Sequence, residues 1–348
     1  MKVLMVGPSK DSRGGISTVI RNIYEAKKNY EVLLMNNWQE NNRNKPFLKN
    51  FFNIRKVIKR EKIDIVHFHV AQNGSFYRKG LLLLHTPKSV KTVFHIHASS
   101  FDEFYEESNH IEKCFIKSVL DKADLIVAVS ESWKEYYTNI TDTKVISINN
   151  AVKVNDTNKY NICSKNIVTL GRIGKRKGSY DILKVAELVY KERPDINFYL
   201  YGDGDVEKLE KEAEDIPNVH IKKWLDEEGK GQQFLDTALH FLPSYHEGLP
   251  MAVLETMSAG IPNLTTDVGG LSTVIKKGIN GFIIKPGHIK EMAETILGYM
   301  DLDDAEKLKI SKNATGTIID NFSMDKYIEN WCVIYESLLG ANGQTISM

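Results

Sequence analysis

Short apolar runs alternate with amphipathic stretches along this chain, and the alternation occurs twice. Residues 3–6, 32–35, 65–70, 93–96, 125–129 and 145–148 are rich in Val, Ile and Leu and too short for helices. Between them, stretches such as 16–27 and 111–121 carry apolar residues at helical spacing. Strands that are apolar almost throughout must be covered on both faces, which is the condition of a parallel sheet flanked by helices. A polar stretch, 152–165, breaks the pattern, which resumes at 167–170, 198–201, 219–221, 239–242, 263–265 and 282–284. The spacing predicts an α/β protein of two doubly wound domains in tandem, joined near residue 155. A length of 348 residues suits two domains of ~150 each.

The apolar and charged fractions, 42% and 26%, exclude disorder and fibrous repeats. Cys114, Cys163 and Cys332 are odd in number and widely spaced. They form neither a disulfide framework nor a zinc-ligand pattern, and a reducing cytoplasm is expected. The apolar run after Met1-Lys2 ends at Gly7-Pro8, too soon for an export signal. No stretch reaches the ~18 apolar residues of a membrane span.

Four segments could carry chemistry. Around 243–255, Glu247 stands on a loop after a strand, and Pro250 suits the first turn of the following helix. Glu255 lies inside that helix among Met251, Val253, Leu254 and Met257, where a carboxylate without a partner is costly. The second segment, Gly171-Arg172 to Lys177-Gly178, directly follows the strand 167–170. Loops at the carboxyl ends of parallel strands line the ligand crevice of such domains, and Arg172 with Lys177 could clamp a diphosphate. Third, Gly14-Gly15 precedes the helix 16–27, where bare backbone and a helix N-terminus favour an anion. Neither a Gly-x-Gly-x-x-Gly fingerprint nor a P-loop is present, which argues against a Rossmann oxidoreductase. Fourth, alternation along 94–99 places His95 and His97 on one side, with His97 nearer the carboxyl end. His95 has a structural reading, as do His67 and His69, and no convincing metal site is read from these histidines.

Taken together, Glu247 and Glu255, the Arg172–Lys177 loop, the Gly14-Gly15 loop and the His97 segment resemble the retaining glycosyltransferases of family 4. The likeness extends to Val129-Ser130-Glu131-Ser132, Tyr201-Gly202-Asp203-Gly204, Val268-Gly269-Gly270 and Asn280-Gly281-Phe282. It implies a GT-B fold, two Rossmann-like domains facing each other across a deep cleft. Residues 1–155 would bind the acceptor and 156–324 the nucleotide sugar, with a C-terminal helix in 325–348 crossing back to the first domain. By the same resemblance, Arg172 and Lys177 hold the donor diphosphate and Glu255 the ribose hydroxyls. Glu247, with the backbone of Gly248 and Leu249, contacts the donor sugar. His97 touches the sugar near the reacting centre, and Gly15 admits the first loop to the phosphates. His97, Glu247, Arg172 and Lys177 are thus the expected catalytic set, acting with retention of anomeric configuration. The co-substrate is a nucleotide-diphosphate sugar, and no metal or other cofactor is expected. A non-catalytic nucleotide-sugar-binding subunit, or an epimerase or hydrolase of the same fold, is the alternative.

The acceptor side carries the strongest basic run. On a helical wheel, Lys45, Lys49, Lys56, Lys59 and Arg60 share a face with Phe52, opposite Phe47, Phe51, Ile54 and Ile58. A Phe among lysines on an outer face suits anionic lipid headgroups, so peripheral docking on the inner membrane leaflet is expected beside the plainer reading of a solvated helix. The formal charge of +1 conceals this asymmetry: residues 1–152 hold 23 Lys+Arg and 16 Asp+Glu, residues 153–348 hold 23 and 29. The partners expected are a nucleotide-sugar donor, a glycan or lipid-linked acceptor and an anionic membrane, but no nucleic acid.

Overall fold

The computed structural model describes residues 1–38, 45–154 and 158–340. Two structural units emerge, Met1–Ala151 with the chain from Met324 onward, and Val152–Ser323. The sequence places these divisions at 155 and 324.

In the first unit, six strands form one parallel sheet: β1 (Lys2–Pro8), β2 (Glu31–Trp38), β3 (Ile65–Val70), β4 (Lys91–Ile96), β5 (Leu125–Ala128) and β6 (Val145–Ser147), in the order β2-β1-β3-β4-β5-β6. Every residue of β3 and β5 is buried, as a sheet covered on both faces requires. The order reverses between β1 and β3, so their carboxyl ends form a switch point. The helix Met324–Leu338 belongs to this unit and buries Trp331 and Tyr335 fully.

In the second unit, the strands are β7 (Asn166–Leu170), β8 (Asn197–Tyr201), β9 (Val219–Lys222), β10 (Leu239–Leu242), β11 (Asn263–Thr266) and β12 (Gly281–Ile284). They lie in the order β12-β11-β10-β7-β8-β9, again all parallel. Its core includes Ile182, Val185, Phe198, Leu200, Phe241 and Ile296. At about 1.5–3 kcal/mol for each large side chain buried, such a core supports the unit. Here β7 and β10 are neighbours whose chains run off to opposite sides, so the loops after them meet at the switch point.

Candidate active site

The loop after β7 is shaped by glycines. It passes through Gly171 (φ 144°) and Gly174 (φ 158°), makes a single 3-10 turn at Lys175–Lys177, and ends at Gly178 with φ 70°. A Cβ on Gly178 would lie 2.0 Å from the Pro243 carbonyl oxygen, so only glycine lets this loop press on the loop after β10. Two further bonds join the loops: the Tyr245 amide donates to the Arg176 carbonyl at 2.8 Å, and Arg176 Nη1 to the His246 carbonyl at 2.9 Å.

At this junction Lys177 Nζ reaches Glu247 Oε1 at 2.5 Å, and Ser244 Oγ donates to the same oxygen at 2.7 Å. Glu247 is only 5% exposed, and Arg176 Nη1 stands 3.9 Å from its other oxygen. From the far side, Gly269 (φ 57°) approaches so closely that a Cβ there would meet the Glu247 carbonyl oxygen at 2.0 Å. The Gly270 amide donates to the Gly248 carbonyl at 2.7 Å, which fixes the Gly248-Leu249 backbone. Pro250 then caps the helix Met251–Ser258, of which Glu255 is part.

Glu255 does have a partner. Lys230, on the helix Glu227–Phe234, donates to Glu255 Oε2 at 2.9 Å and contacts Glu227 at 3.1 Å. Burial alone would lower the Lys230 pKa, but Glu255 and then Glu227 hold it above the ordinary lysine value. Arg172 is exposed and makes no hydrogen bond or ion pair among the described residues, leaving its guanidinium free for a ligand.

Of the residues singled out by sequence, the structure gathers Lys177, Glu247, Gly248 and Leu249 at one junction, with Arg172 on the same loop. Sequence reading assigned Lys177 and Glu247 to different parts of a ligand, whereas here they bond to each other. It missed Arg176, because spacing alone cannot rank three consecutive cations, and Lys230, which lies in a polar stretch with no apolar frame.

In the first unit, Gly15 opens the helix Gly15–Glu25 beyond β1, after Gly14 at φ 113° with open space around it. His97 follows β4, and its Nε2 lies 3.0 Å from His69 Nδ1. His69 belongs to a stack: ring centroids lie 4.3 Å apart for His67–His69 and 3.9 Å for His95–His97. His67 bonds Tyr335 Oη at 2.6 Å through Nδ1 and His95 Nδ1 at 3.2 Å through Nε2. His69 Nε2 and His95 Nε2 are buried without partners. Burial is the main cause that holds all four imidazoles neutral, with His97 lowered to about 3. Nitrogens of His67, His69 and His95 come within 4.8 Å of one another, the one potential metal-ligand trio among the described residues. Four of its six nitrogens are already bonded, three to other histidines of the stack and one to Tyr335. His69 thus ties His97 to the buried stack, and His67 ties the stack to Tyr335.

The helix Lys45–Glu61 buries Ile54 and Ile58 and packs Phe47 and Phe51 against the core. Lys49, Lys56, Lys59 and Arg60 are exposed, with Phe52 71% exposed among them; the Lys45 side chain lies outside the described residues. Leu33, Met35, Pro46, Lys49 and Arg60 help to line a groove of about 690 Å³ beside this helix. No helix among the described residues is long and apolar enough to cross a membrane.

Comparison with known proteins supplies the family. Residues 155–317 match the model described as glycosyl transferases group 1, and residues 14–156 match that of glycosyltransferase family 4. The chain belongs to the family 4 glycosyltransferases. A family relative, an uncharacterized glycosyltransferase of Methanocaldococcus jannaschii, is 27% identical over 97% of this chain and 99% of its own. The poly(ribitol-phosphate) alpha-N-acetylglucosaminyltransferase of Staphylococcus aureus is 26% identical over 82% of this chain, which spans 57% of that enzyme. The poly(glycerol-phosphate) alpha-glucosyltransferase of Bacillus subtilis is 29% identical over 49% of this chain but only 26% of its own length. Sucrose-phosphate synthase of Thermosynechococcus elongatus superposes with a TM-score of 0.82, at 14% identity over 98% of this chain and 100% of that one. The fold is GT-B, with two Rossmann-like domains.

Proposed function

We propose that this chain transfers a sugar from a nucleotide-diphosphate donor to a glycan or lipid-linked acceptor in bacterial surface-polymer synthesis. The observation that carries this reading is the junction of the β7 and β10 loops, where Lys177, Glu247 and Ser244 converge beside an unpaired Arg172. An incoming diphosphate offers Lys177 a second anion and Arg172 its first. Glu247, already held by Ser244, is then released in part to meet the hydroxyls of the donor sugar. Glu255, balanced by Lys230, takes the ribose hydroxyls, as a carboxylate accepts from paired O–H donors. Gly15 and His97 are proposed to act from the first unit, on the phosphates and the sugar.

Transfer proceeds with retention, the leaving phosphate receiving the proton of the acceptor hydroxyl while Arg172 and Lys177 stabilise the charge on it. Bond by bond, the anomeric C–O bond to phosphate breaks and one to the acceptor oxygen forms on the same face. In support, the Staphylococcus and Bacillus relatives are named for alpha-linked products, and common nucleotide hexoses of gluco configuration are themselves alpha-linked. With two protein cations at the leaving group, no divalent metal is required, and EDTA should leave turnover unchanged. The acceptor class is supported by those same relatives, whose names specify phosphate polymers, and a lipid-linked form by the exposed basic face around Phe52.

The test is a screen of nucleotide sugars for hydrolysis and transfer, followed by Arg172→Ala and Glu255→Ala. Both variants should fold and lose most transfer activity. Near-wild-type turnover of both would remove the assignment.

A further inference from the structure

Lys79, on the helix Gly74–His85 of the first unit, is 3% exposed and has no ion pair among the described residues. Lysine is almost never buried in this way unless something neutralises it. Among the described residues, no carboxylate acts on its charge. Arg78 is adjacent on its own helix, and His69 of β3 and His97 after β4 are close enough to feel its charge. The helix His110–Leu120 brings Glu112 to Tyr77 instead, and the helix Lys45–Glu61 brings Arg55 onto the His85 carbonyl.

Among the described residues, the only side-chain hydrogen bond of Lys79 runs from Nζ to Ser75 Oγ, at 2.7 Å. Ser75 Oγ also accepts from the Ala71 amide at 3.1 Å. If Lys79 is charged, both lone pairs of Ser75 are in use and its hydroxyl proton has no acceptor among the described residues. If Lys79 is neutral, its lone pair can take that proton. Burial, then Arg78, lowers the Lys79 pKa to about 7, so both forms are within reach at neutral pH. Asn73, at φ 58° and ψ −137°, turns the chain into this helix through a backbone region that costs about 1–3 kcal/mol, a kind of strain that clusters at ligand sites.

We infer that Lys79 and Ser75, at the amino end of the helix Gly74–His85, form a phosphate site that reads a phosphate ester on the acceptor. This rests on the reading that the first unit holds the acceptor. Binding charges the amine, turns the Ser75 hydroxyl to the anion and takes up a proton, and the helix N-terminus favours the same charge. A soluble phosphopolymer and a lipid phosphate share this chemistry.

Isothermal titration with glycerol phosphate and, separately, with dihexanoyl phosphatidic acid below its micelle concentration tests the site. The full chain is compared with Lys79→Met and Arg172→Ala. Wild type should bind one or both probes, with proton uptake visible above pH 7 as a dependence on buffer ionisation heat. Lys79→Met should weaken binding at least tenfold while keeping or raising Tm, because a buried unpaired cation is gone. Arg172→Ala should leave both probes unaffected. Binding of the soluble probe alone assigns a phosphopolymer, and binding of the lipid probe alone a lipid phosphate. If neither binds, or Lys79→Met binds as wild type does, the site is overturned. Should the Met variant fail to fold, Ser75→Ala carries the same comparison. Nucleoside diphosphate binding measured in the same samples keeps failure of the donor assignment separate.

Discussion

Lys177 and Glu247 stand 70 residues apart in sequence and 2.5 Å apart in the folded chain. The bond ties the loop after β7 to the loop after β10 and settles a carboxylate that is 5% exposed. Removing only the cation leaves that carboxylate buried beside Ser244. Lys177→Met should therefore cost on the order of 3 kcal/mol of stability, besides its effect on the donor. Adding Glu247→Gln should restore much of this, which a double-mutant cycle in denaturant titrations reads directly. An additive cycle would mean that the pair contributes nothing to the fold.

Glu255 and Lys230 make a pH prediction. The Lys230 pKa is raised in the folded chain, so the folded state holds this proton more tightly than the unfolded one. The stability it contributes is complete below the ordinary lysine value of ~10.4 and is lost as pH rises through the raised one. As pH rises above about 10, wild type should lose stability more steeply than Lys230→Met. Parallel curves would contradict the pairing.

Acid should act through the first unit. His67, His69, His95 and His97 all have lowered pKa values, by burial first, so the unfolded chain takes up protons that the folded one refuses. The stability this represents is complete above the ordinary value of ~6.5 and falls with pH below it, by ~1.4 kcal/mol per pH unit for each group. Unfolding near pH 5 should thus involve several protons, and His95→Gln should remove about one of them. Near-UV circular dichroism against pH counts them; a one-proton transition would argue against the stack.

Phe52 predicts a surface effect without a folding effect. Being 71% exposed, it should tolerate Phe52→Ser within about 0.5 kcal/mol. Pelleting with vesicles rich in phosphatidylglycerol at low salt should nevertheless weaken, and weaken further for Lys49→Glu. Equal pelleting of wild type and both variants would leave the helix merely solvated.

Much of this was legible in the sequence. All twelve runs become strands, although β3 buries His67 and His69 and β11 buries Asn263 and Thr265 among their apolar neighbours. The glycines at 178 and 269 were visible as loop residues, but not the backbone approaches they permit, which depend on strands meeting only after folding. The expense of Glu255 on an apolar helix pointed to a missing partner without naming Lys230. Lys79 gave no signal, since its burial follows from the helix face that packing selects. His67 and His69 were read apart from His97 because the register that aligns β3 with β4 is a tertiary fact.

The donor site proposed at the β7–β10 junction is tested most directly by calorimetric binding of nucleoside diphosphates and their 2′-deoxy forms to wild type, Arg172→Ala and Glu255→Ala. At least one ribonucleoside diphosphate should bind wild type with micromolar Kd, and Arg172→Ala should weaken it tenfold or more. Loss of a ribose hydroxyl should weaken binding to wild type but not to Glu255→Ala. Absence of binding by any nucleoside diphosphate, or equal affinity across the three proteins, would contradict the site described here.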